Sequence, residues 1–131
     1  MLEENITIPN DRKYTKEHEW LLIEGNVAKI GITDHAQDAL GDIVFVELPA
    51  VGDEFAVGDS FAVVESVKAV SQIYTEAAGK VIEINEELDA SPELLNSDPN
   101  GCFIAAIEFT NLNEDALLTA DEYAEFLKSE E

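Results

Sequence analysis

One lysine in this sequence stands apart from every other basic residue. Lys68 lies at the centre of residues 61–74, FAVVESVKAVSQIY, and no other Lys or Arg occurs between Lys29 and Lys80. Its primary amine can form an amide with a carboxylic acid, and its flexible stem extends the reach of an attached group. The pattern indicates a lysine presented for covalent modification. A lone lysine that keeps an edge strand from pairing is the common alternative.

The other reactive side chains do not form the pattern of a catalytic or metal site. His18 and His35 are far apart in the sequence, and Cys102, the only cysteine, is predicted to lie in a strand without a neighbouring base. The G-x-S-x-G and H-E-x-x-H patterns are absent, and the acidic runs lack the alternating carboxylates of a calcium loop. We expect a chain that is not an enzyme and holds no metal ion.

The segments on either side of Lys68 have the composition of strands. Residues 61–66 and 69–74 are mostly small, branched or aromatic, which favours a pleated, half-buried strand. A two-residue hairpin loop normally contains Asn-Gly, Asp-Gly or a Gly-first pair, and none occurs here. The turn rules alone therefore do not predict that these two strands form a hairpin.

Short strands separated by Gly and Pro turns are predicted along the rest of the chain. Gly25-Asn26 favours a tight hairpin turn, Gly79 is predicted to be a turn, and the repeats VGDEF (51–55) and VGDSF (57–61) predict two successive turns. The N-terminal residues predict an irregular lead-in or a short strand near residues 6–8. The remaining predicted strands are 19–24, 27–32, 43–48, 80–85 and 102–109.

Three helices are predicted from capping patterns. Thr33 or Asp34 can cap a short helix that Gly41 ends, and Ser91-Pro92 is typical of a second helix start. Thr-x-x-Glu at 119–122 is a capping box for a C-terminal helix. The apolar faces are Ala36, Ala39 and Leu40 in the first helix, and Ala120, Tyr123, Ala124 and Leu127 in the last.

These elements predict a mostly β protein. The expected fold is a flattened β-barrel or a sandwich of two antiparallel sheets, with short peripheral helices and a C-terminal helix. The chain has 131 residues, 46% of them hydrophobic, which suits one domain with a core. We expect a single domain over residues 1–131, with a lead-in at 1–13, a β core at 14–110 and the helix at 119–128.

Charge and cysteine content restrict the partners and the compartment. The formal net charge of −22, from 29 acidic and 7 basic residues, would repel nucleic acids and anionic membranes, so we expect neither as a partner. A basic docking face on a protein partner would be attracted, although solubility alone explains the charge equally well. The single cysteine, the acidic residues 1–5 and the lack of a long apolar run indicate the cytoplasm.

Several segments occur in the order and spacing of one known family. They are YTKEHEW (14–20), GITDHAQ (31–37), GDIVFVELP (41–49), ESVKA (65–69), AGKVIEIN (78–85) and SPELLN (91–96). Together they resemble the H protein of the glycine cleavage system over about residues 14–127. The resemblance implies a β fold of the lipoyl- or biotinyl-carrier type, with the modified lysine at the tip of a tight hairpin.

The resemblance also implies a site centred on Lys68. This lysine would carry lipoate on its side-chain nitrogen. The attachment motif around it would consist of Glu65, Ser66, Val67 and Ala69. A cleft that shelters the loaded arm would lie near other residues that resemble the family, namely His18, Glu19, Thr33, Asp34 and His35.

The function implied by the resemblance is that of a carrier. Its lipoyl arm would take an aminomethyl group from the pyridoxal-phosphate glycine decarboxylase (P protein) and deliver it to the tetrahydrofolate-dependent aminomethyltransferase (T protein). Dihydrolipoamide dehydrogenase (L protein) would then reoxidise the arm. A lipoate ligase or lipoyltransferase would attach the cofactor, and the carrier would be a monomer. The tether keeps the group at high local concentration.

Some positions depart from the family pattern. Gln72 stands where the family often has aspartate, and Gly101-Cys102 replaces the usual Gly-Trp. The alternating lysines of the last strand are replaced by Ala105, Ala106 and Glu108. The attachment motif is intact, so these departures concern partner docking.

Three alternative functions stay open. Two of them are a lipoate donor or relay for other 2-oxoacid dehydrogenase complexes and an unmodified acidic protein-binding module. A biotin carrier has a similar hairpin, but that family usually brackets its lysine with methionines, whereas Val67 and Ala69 flank Lys68.

Overall fold

The computed structural model describes residues 6–130, so the acidic start at residues 1–5 and residue 131 lie outside the described part. Its strands are β1 (Lys13–Tyr14), β2 (Glu19–Glu24), β3 (Val27–Ile32), β4 (Ile43–Glu47), β5 (Glu54–Phe55), β6 (Ser60–Ser66), β7 (Val70–Tyr74), β8 (Ala77–Ile84) and β9 (Ala105–Leu112). Its α-helices are α1 (Asp34–Leu40), α2 (Glu87–Ala90), α3 (Leu94–Ser97) and α4 (Ala120–Ser129), with a 3-10 turn at Glu114–Ala116.

The strands form two antiparallel sheets, which confirms the predicted fold class. The larger sheet has the strand order β1-β2-β3-β9-β8-β5, and the smaller sheet has the order β4-β6-β7. The main core contains buried side chains from both sheets, including Ile30 and Ile107 from the larger one and Val46 and Val64 from the smaller one. Each sheet therefore buries one face in a shared core.

The β2–β3 hairpin has the predicted bounds. Six pairs of residues, from Glu19 with Ile32 to Glu24 with Val27, form its ladder. Gly25 has a φ of +62°, as the first central residue of a mirror-type turn requires. Turn chemistry alone is enough to define this element.

Helix α1 begins at the first of its two predicted caps. The Thr33 Oγ1 accepts the backbone N–H of Ala36 at 3.1 Å, and Gly41, with a φ of +80°, follows the last helical residue. The predicted inward position of Ala39 is wrong, because this residue is exposed. Only Ala36 and Leu40 pack on the main core, so the helix covers it at the periphery.

The six-residue repeat forms two equivalent turns, as predicted. In each turn an aspartate carboxylate accepts the backbone N–H of the residue three positions before it. The Ala50 N–H donates to Asp53 at 3.0 Å, and the Ala56 N–H donates to Asp59 at 2.8 Å. These side chains replace a backbone acceptor and so fix both turns.

Gly79 lies inside β8, so the prediction of a turn at this residue is wrong. It pairs with Phe109 of β9 beside a bulge in the ladder. A Cβ at residue 79 would overlap the carbonyl oxygen of Glu108 and lie 2.7 Å from the Cα of Phe109. Glycine is needed here because two backbones approach closely.

Three other predicted boundaries are wrong, and one alternative is settled. The strand predicted at 80–85 is β8, which begins at Ala77 and ends at Ile84. Residues 6–8 are an irregular lead-in without a strand. The last strand begins at Ala105 and not at Cys102, and in the segment before it the Phe103 carbonyl accepts an N–H from Asn85 Nδ2 at 2.9 Å. Ser91-Pro92 lies in a turn before α3 and does not begin the helix. The sequence pattern does not predict α2.

Helix α4 covers a second, smaller apolar cluster. It begins with the predicted capping box at 119–122, and its Tyr123 and Leu127 are buried. The Tyr123 ring stacks on Tyr14 of β1 with centroids 4.8 Å apart, and Trp20 of β2 belongs to the same cluster. This confirms the prediction that the helix packs on the sheets. Across residues 6–130, none of the helices has the length and apolarity needed to cross a membrane.

Candidate functional site

Lys68 lies at the tip of the β6–β7 hairpin. The backbone N–H of Ser66 donates to the carbonyl oxygen of Ala69 at 2.8 Å. Val67 and Lys68 are therefore the two central residues of a tight turn, and both are exposed. We call residues 66–69 the lysine tip.

The hydroxyl group of Ser66 closes this turn without a glycine. Its Oγ accepts the backbone N–H groups of Lys68 at 3.3 Å and Ala69 at 3.1 Å. Among the described non-glycine residues only His18 has a positive φ, so Val67 and Lys68 keep ordinary backbone angles. A serine that begins a turn is the local signal that standard hairpin rules miss.

The lysine tip is also bonded to the segment that follows α1. The backbone N–H of Val67 donates to the carbonyl oxygen of Asp42 at 3.0 Å. The Lys68 Cε lies 3.5 Å from the place that a Cβ on Gly41 would occupy. The Lys68 side chain therefore passes beside a residue that has no side chain. Residues 41 and 42 form the base of the lysine tip.

The surroundings of Lys68 leave its amine accessible. None of the ion pairs formed within residues 6–130 includes Lys68. Exposed apolar side chains lie nearby: Val67 is 70% exposed and Val70 is 65% exposed. Phe45, Glu65 and Val70 are paired in one row across the small sheet. The Lys68 amine can therefore form an amide with an activated carboxylic acid, displacing its leaving group, without losing an ion-pair partner within residues 6–130.

Glu19 is a buried carboxylate that joins the two sheets. It begins β2 in the larger sheet, and its Oε2 accepts the backbone N–H of Tyr74, the last residue of β7, at 2.9 Å. Its Oε1 accepts the hydroxyl hydrogen of Thr15 at 2.8 Å. Burial raises the pKa of Glu19 to about 7, although both hydrogen bonds favour the charged form.

A Glu19→Gln variant is expected to gain stability relative to wild type as the pH rises. The folded-state pKa of about 7 exceeds the ordinary value of 4.5, so between these values the unfolded chain ionises first and folding becomes less favourable. Glutamine does not titrate, so the variant should be more stable by about 3 kcal/mol above pH 7 and nearly equal below pH 4. Urea unfolding at several pH values measures this difference.

The matched control for this experiment is Glu17→Gln, since Glu17 is an exposed carboxylate two positions away. Its difference from wild type should not change over the same pH range by more than about 0.5 kcal/mol. A flat difference for Glu19→Gln as well would mean that burial does not raise the pKa of Glu19 above its value in the unfolded chain.

His18, Thr33 and His35 lie together, and the first two contact Tyr123 of α4. The Tyr123 hydroxyl is 2.9 Å from His18 Nδ1 and 2.8 Å from Thr33 Oγ1, and the two imidazole rings have centroids 4.6 Å apart. Burial, followed by the nearby His35, lowers the pKa of His18, while Glu130 opposes this effect. Sequence reasoning placed Tyr123 only in the apolar face of its helix and missed this contact.

Asp34 supports the start of α1. Its Oδ2 accepts the backbone N–H of Thr7 at 2.9 Å, and its Oδ1 accepts the side-chain N–H of Gln37 at 2.7 Å. The contacts of the five residues expected near an arm cleft are therefore spread over three elements, β7, α1 and α4. No hydrogen bond within residues 6–130 joins any of them to Lys68.

The residues that depart from the family pattern have ordinary structural partners. Gln72, exposed on β7, accepts a hydrogen bond from the Ser60 hydroxyl at 2.5 Å. Cys102 is buried, and its Sγ accepts an N–H of Asn85 at 3.2 Å. Burial raises the pKa of the Cys102 thiol, so it is a poor nucleophile.

Comparisons with known proteins agree on one family. The family model described as "Glycine cleavage H-protein" matches residues 12–130. The chain is 59% identical over 118 residues to the glycine cleavage system H protein of Alkaliphilus oremlandii, which covers 89% of this chain and 93% of that protein. It is 53% identical over 125 residues to the H protein of Carboxydothermus hydrogenoformans, covering 94% and 96% respectively.

A solved structure agrees with these sequence relatives. The crystal structure of a glycine cleavage system H protein from Mycobacterium marinum matches with a TM-score of 0.86 at 40% identity. The match covers 92% of this chain and 99% of that chain. Sequence and fold therefore lead to the same assignment, and this chain belongs to the glycine cleavage H-protein family.

Proposed function

We propose that the chain is a lipoyl carrier of the glycine cleavage system, with lipoate attached through an amide to Lys68. The observation that carries this proposal is an exposed lysine at the tip of a braced hairpin, in a chain of the H-protein family. The setting of Lys68 fits such a group, since its amine has no ion pair within residues 6–130 and apolar Val67 and Val70 lie beside it.

The protein contributes position, and the cofactor contributes the reactive sulfurs. When bound to Lys68, lipoate would supply a disulfide that takes up the aminomethyl group from glycine decarboxylase while being reduced; its carbon would pass to tetrahydrofolate on the aminomethyltransferase with release of ammonia, and dihydrolipoamide dehydrogenase would reoxidise the resulting dithiol. Ser66 and Asp42 hold the lysine tip, so the arm swings from a fixed point. The chain itself is then a non-catalytic carrier, and we propose that residues 1–131 act as one carrier domain.

Of the five residues proposed for an arm cleft, Glu19 is the best supported. It reaches the end of the hairpin strand β7 at Tyr74, four residues after Val70, which is about 13 Å along a strand. An extended lysine arm lying along β7 would approach it. His18 and Thr33 contact Tyr123 of α4, the His35 ring lies against the His18 ring, and Asp34 bonds to Gln37 within α1, so these four support the scaffold more directly.

The surface around Lys68 supports docking of protein partners. Exposed Val44, Phe45, Val67 and Val70 lie near the acidic Glu65. This combination fits enzyme surfaces with an apolar centre and a basic rim. We propose glycine decarboxylase, aminomethyltransferase, dihydrolipoamide dehydrogenase and a lipoate ligase or lipoyltransferase as partners of a monomeric, cytoplasmic carrier. The single buried thiol, Cys102, fits a reducing compartment.

Reconstitution tests the proposal. The lipoylated chain, mixed with the three partner enzymes, glycine, tetrahydrofolate and NAD, is expected to support formation of methylene-tetrahydrofolate that depends on both glycine and the chain. A lipoylated chain that fails in this assay but passes its lipoyl group to a 2-oxoacid dehydrogenase would be a lipoate donor. A chain that is never lipoylated would be an unmodified binding module.

A further inference from the structure

Asn96 of α3 makes three hydrogen bonds to the C-terminal end of α1 and the residues after it. Its Oδ1 accepts the backbone N–H of Ile43 at 2.9 Å. Its Nδ2 donates to the carbonyl oxygen of Gly41 at 2.9 Å and to the Oε1 of Gln37 at 3.0 Å. The oxygen and both hydrogens of the amide group are thus engaged, which fixes the path of the chain on both sides of Asp42.

The segment that Asn96 holds is the base of the lysine tip. The Asp42 carbonyl accepts the N–H of Val67, and Ile43 pairs with Ser66 at the end of β6. The Cε of Lys68 passes beside Gly41. Residues 41–43 therefore contact the backbone of the lysine tip and the side-chain stem of Lys68. They are in turn hydrogen-bonded by the side-chain amide of Asn96.

We propose that Asn96 is a positioning residue for the modification of Lys68. By holding residues 41–43, it fixes the direction in which the lysine tip leaves the small sheet. The enzyme that attaches the acyl group then meets a lysine already oriented, and it does not have to order the tip on binding. The inference rests on the proposed function, because it concerns the acylation of Lys68.

The test compares Asn96→Ala with Asn85→Ala in the full chain. Asn85 is a matched control: it is another half-buried amide, and it donates to the Phe103 carbonyl at 2.9 Å without contacting residues 41–43 through any hydrogen bond within the described range. Lipoate, ATP and a lipoate ligase are supplied, and modification of Lys68 is followed by intact mass. We expect kcat/KM to fall about tenfold for Asn96→Ala and less than about twofold for Asn85→Ala.

Two further measurements separate positioning from general loosening. Acetylation of Lys68 by a small reactive ester should proceed at the wild-type rate in both variants, because that reagent needs only an exposed amine. Hydrogen exchange of the Val67 amide should accelerate in Asn96→Ala alone. If Asn96→Ala does not fold, Asn96→Asp serves the same test, since it keeps the oxygen acceptor but loses both N–H donors.

The outcomes are distinguishable. A wild-type chain that the ligase never modifies at Lys68 overturns the proposed function together with this inference. A modified wild type, with equal kcat/KM values for Asn96→Ala and Asn85→Ala, overturns only the positioning role. A slower reaction of Asn96→Ala with the small ester would also overturn it, because exposure of the amine would then have changed.

Discussion

A Lys68→Arg variant is expected to gain no mass when it is incubated with lipoate, ATP and a lipoate ligase, whereas the wild-type chain gains one lipoyl group. Arginine keeps the positive charge, but its guanidinium stays protonated and does not form the amide. Carrier activity should be lost completely. The side chain is exposed, so the free energy of unfolding should change by less than about 0.5 kcal/mol.

The control for this variant is Lys80→Arg. Lys80 is also an exposed lysine, but it lies inside β8 and not at a turn. Intact mass should show the same gain for Lys80→Arg as for wild type. A full mass gain in Lys68→Arg would mean that another amine accepts the acyl group, and peptide mapping would identify it.

The second large effect is expected for Gly79→Ala, which should lower the free energy of unfolding by about 3 kcal/mol or more. The added methyl group would overlap the carbonyl oxygen of Glu108 and crowd the Cα of Phe109. Both atoms belong to the backbone of the neighbouring strand β9, so relief requires the ladder to separate. Since a domain is stable by only about 5 to 15 kcal/mol, urea unfolding should show a large shift of the midpoint.

Gly25→Ala separates this steric effect from backbone strain. No atom lies within 4 Å of an added Cβ at residue 25, but its φ of +62° disfavours a side chain. The expected cost is therefore only about 1 kcal/mol. A larger loss of stability in Gly25→Ala than in Gly79→Ala would contradict the close approach of β8 and β9 as the limiting factor.

The elements that follow from local rules could be predicted from the sequence. Gly25 defines the β2–β3 hairpin through its own backbone conformation, and Thr33 and Thr119 cap helices through bonds to residues three positions away. Gly79 could not be assigned in this way. Its constraint comes from Glu108 in another strand, and a sequence pattern carries no sign of that contact.

The candidate site likewise combines residues that the sequence identifies with residues that only the fold brings together. Lys68 could be singled out because its isolation among apolar and acidic residues is visible in the sequence. The hydroxyl of Ser66, which closes the turn, is also a local signal. The role of Asn96 depends on contacts with α1, more than fifty residues earlier in the chain, and the contact of Tyr123 with His18 spans 105 positions. Such contacts follow from the fold and cannot be obtained from spacing.

The position of the single tryptophan has a practical consequence. Trp20 is 2% exposed, donates its Nε1 hydrogen to the Pro99 carbonyl at 3.0 Å and belongs to the small cluster beneath α4. Its fluorescence emission is therefore an intrinsic optical label for the docking of the C-terminal helix. Circular dichroism in the far ultraviolet follows the sheets instead, so the unlabelled protein offers two spectroscopic signals for two different parts of the molecule.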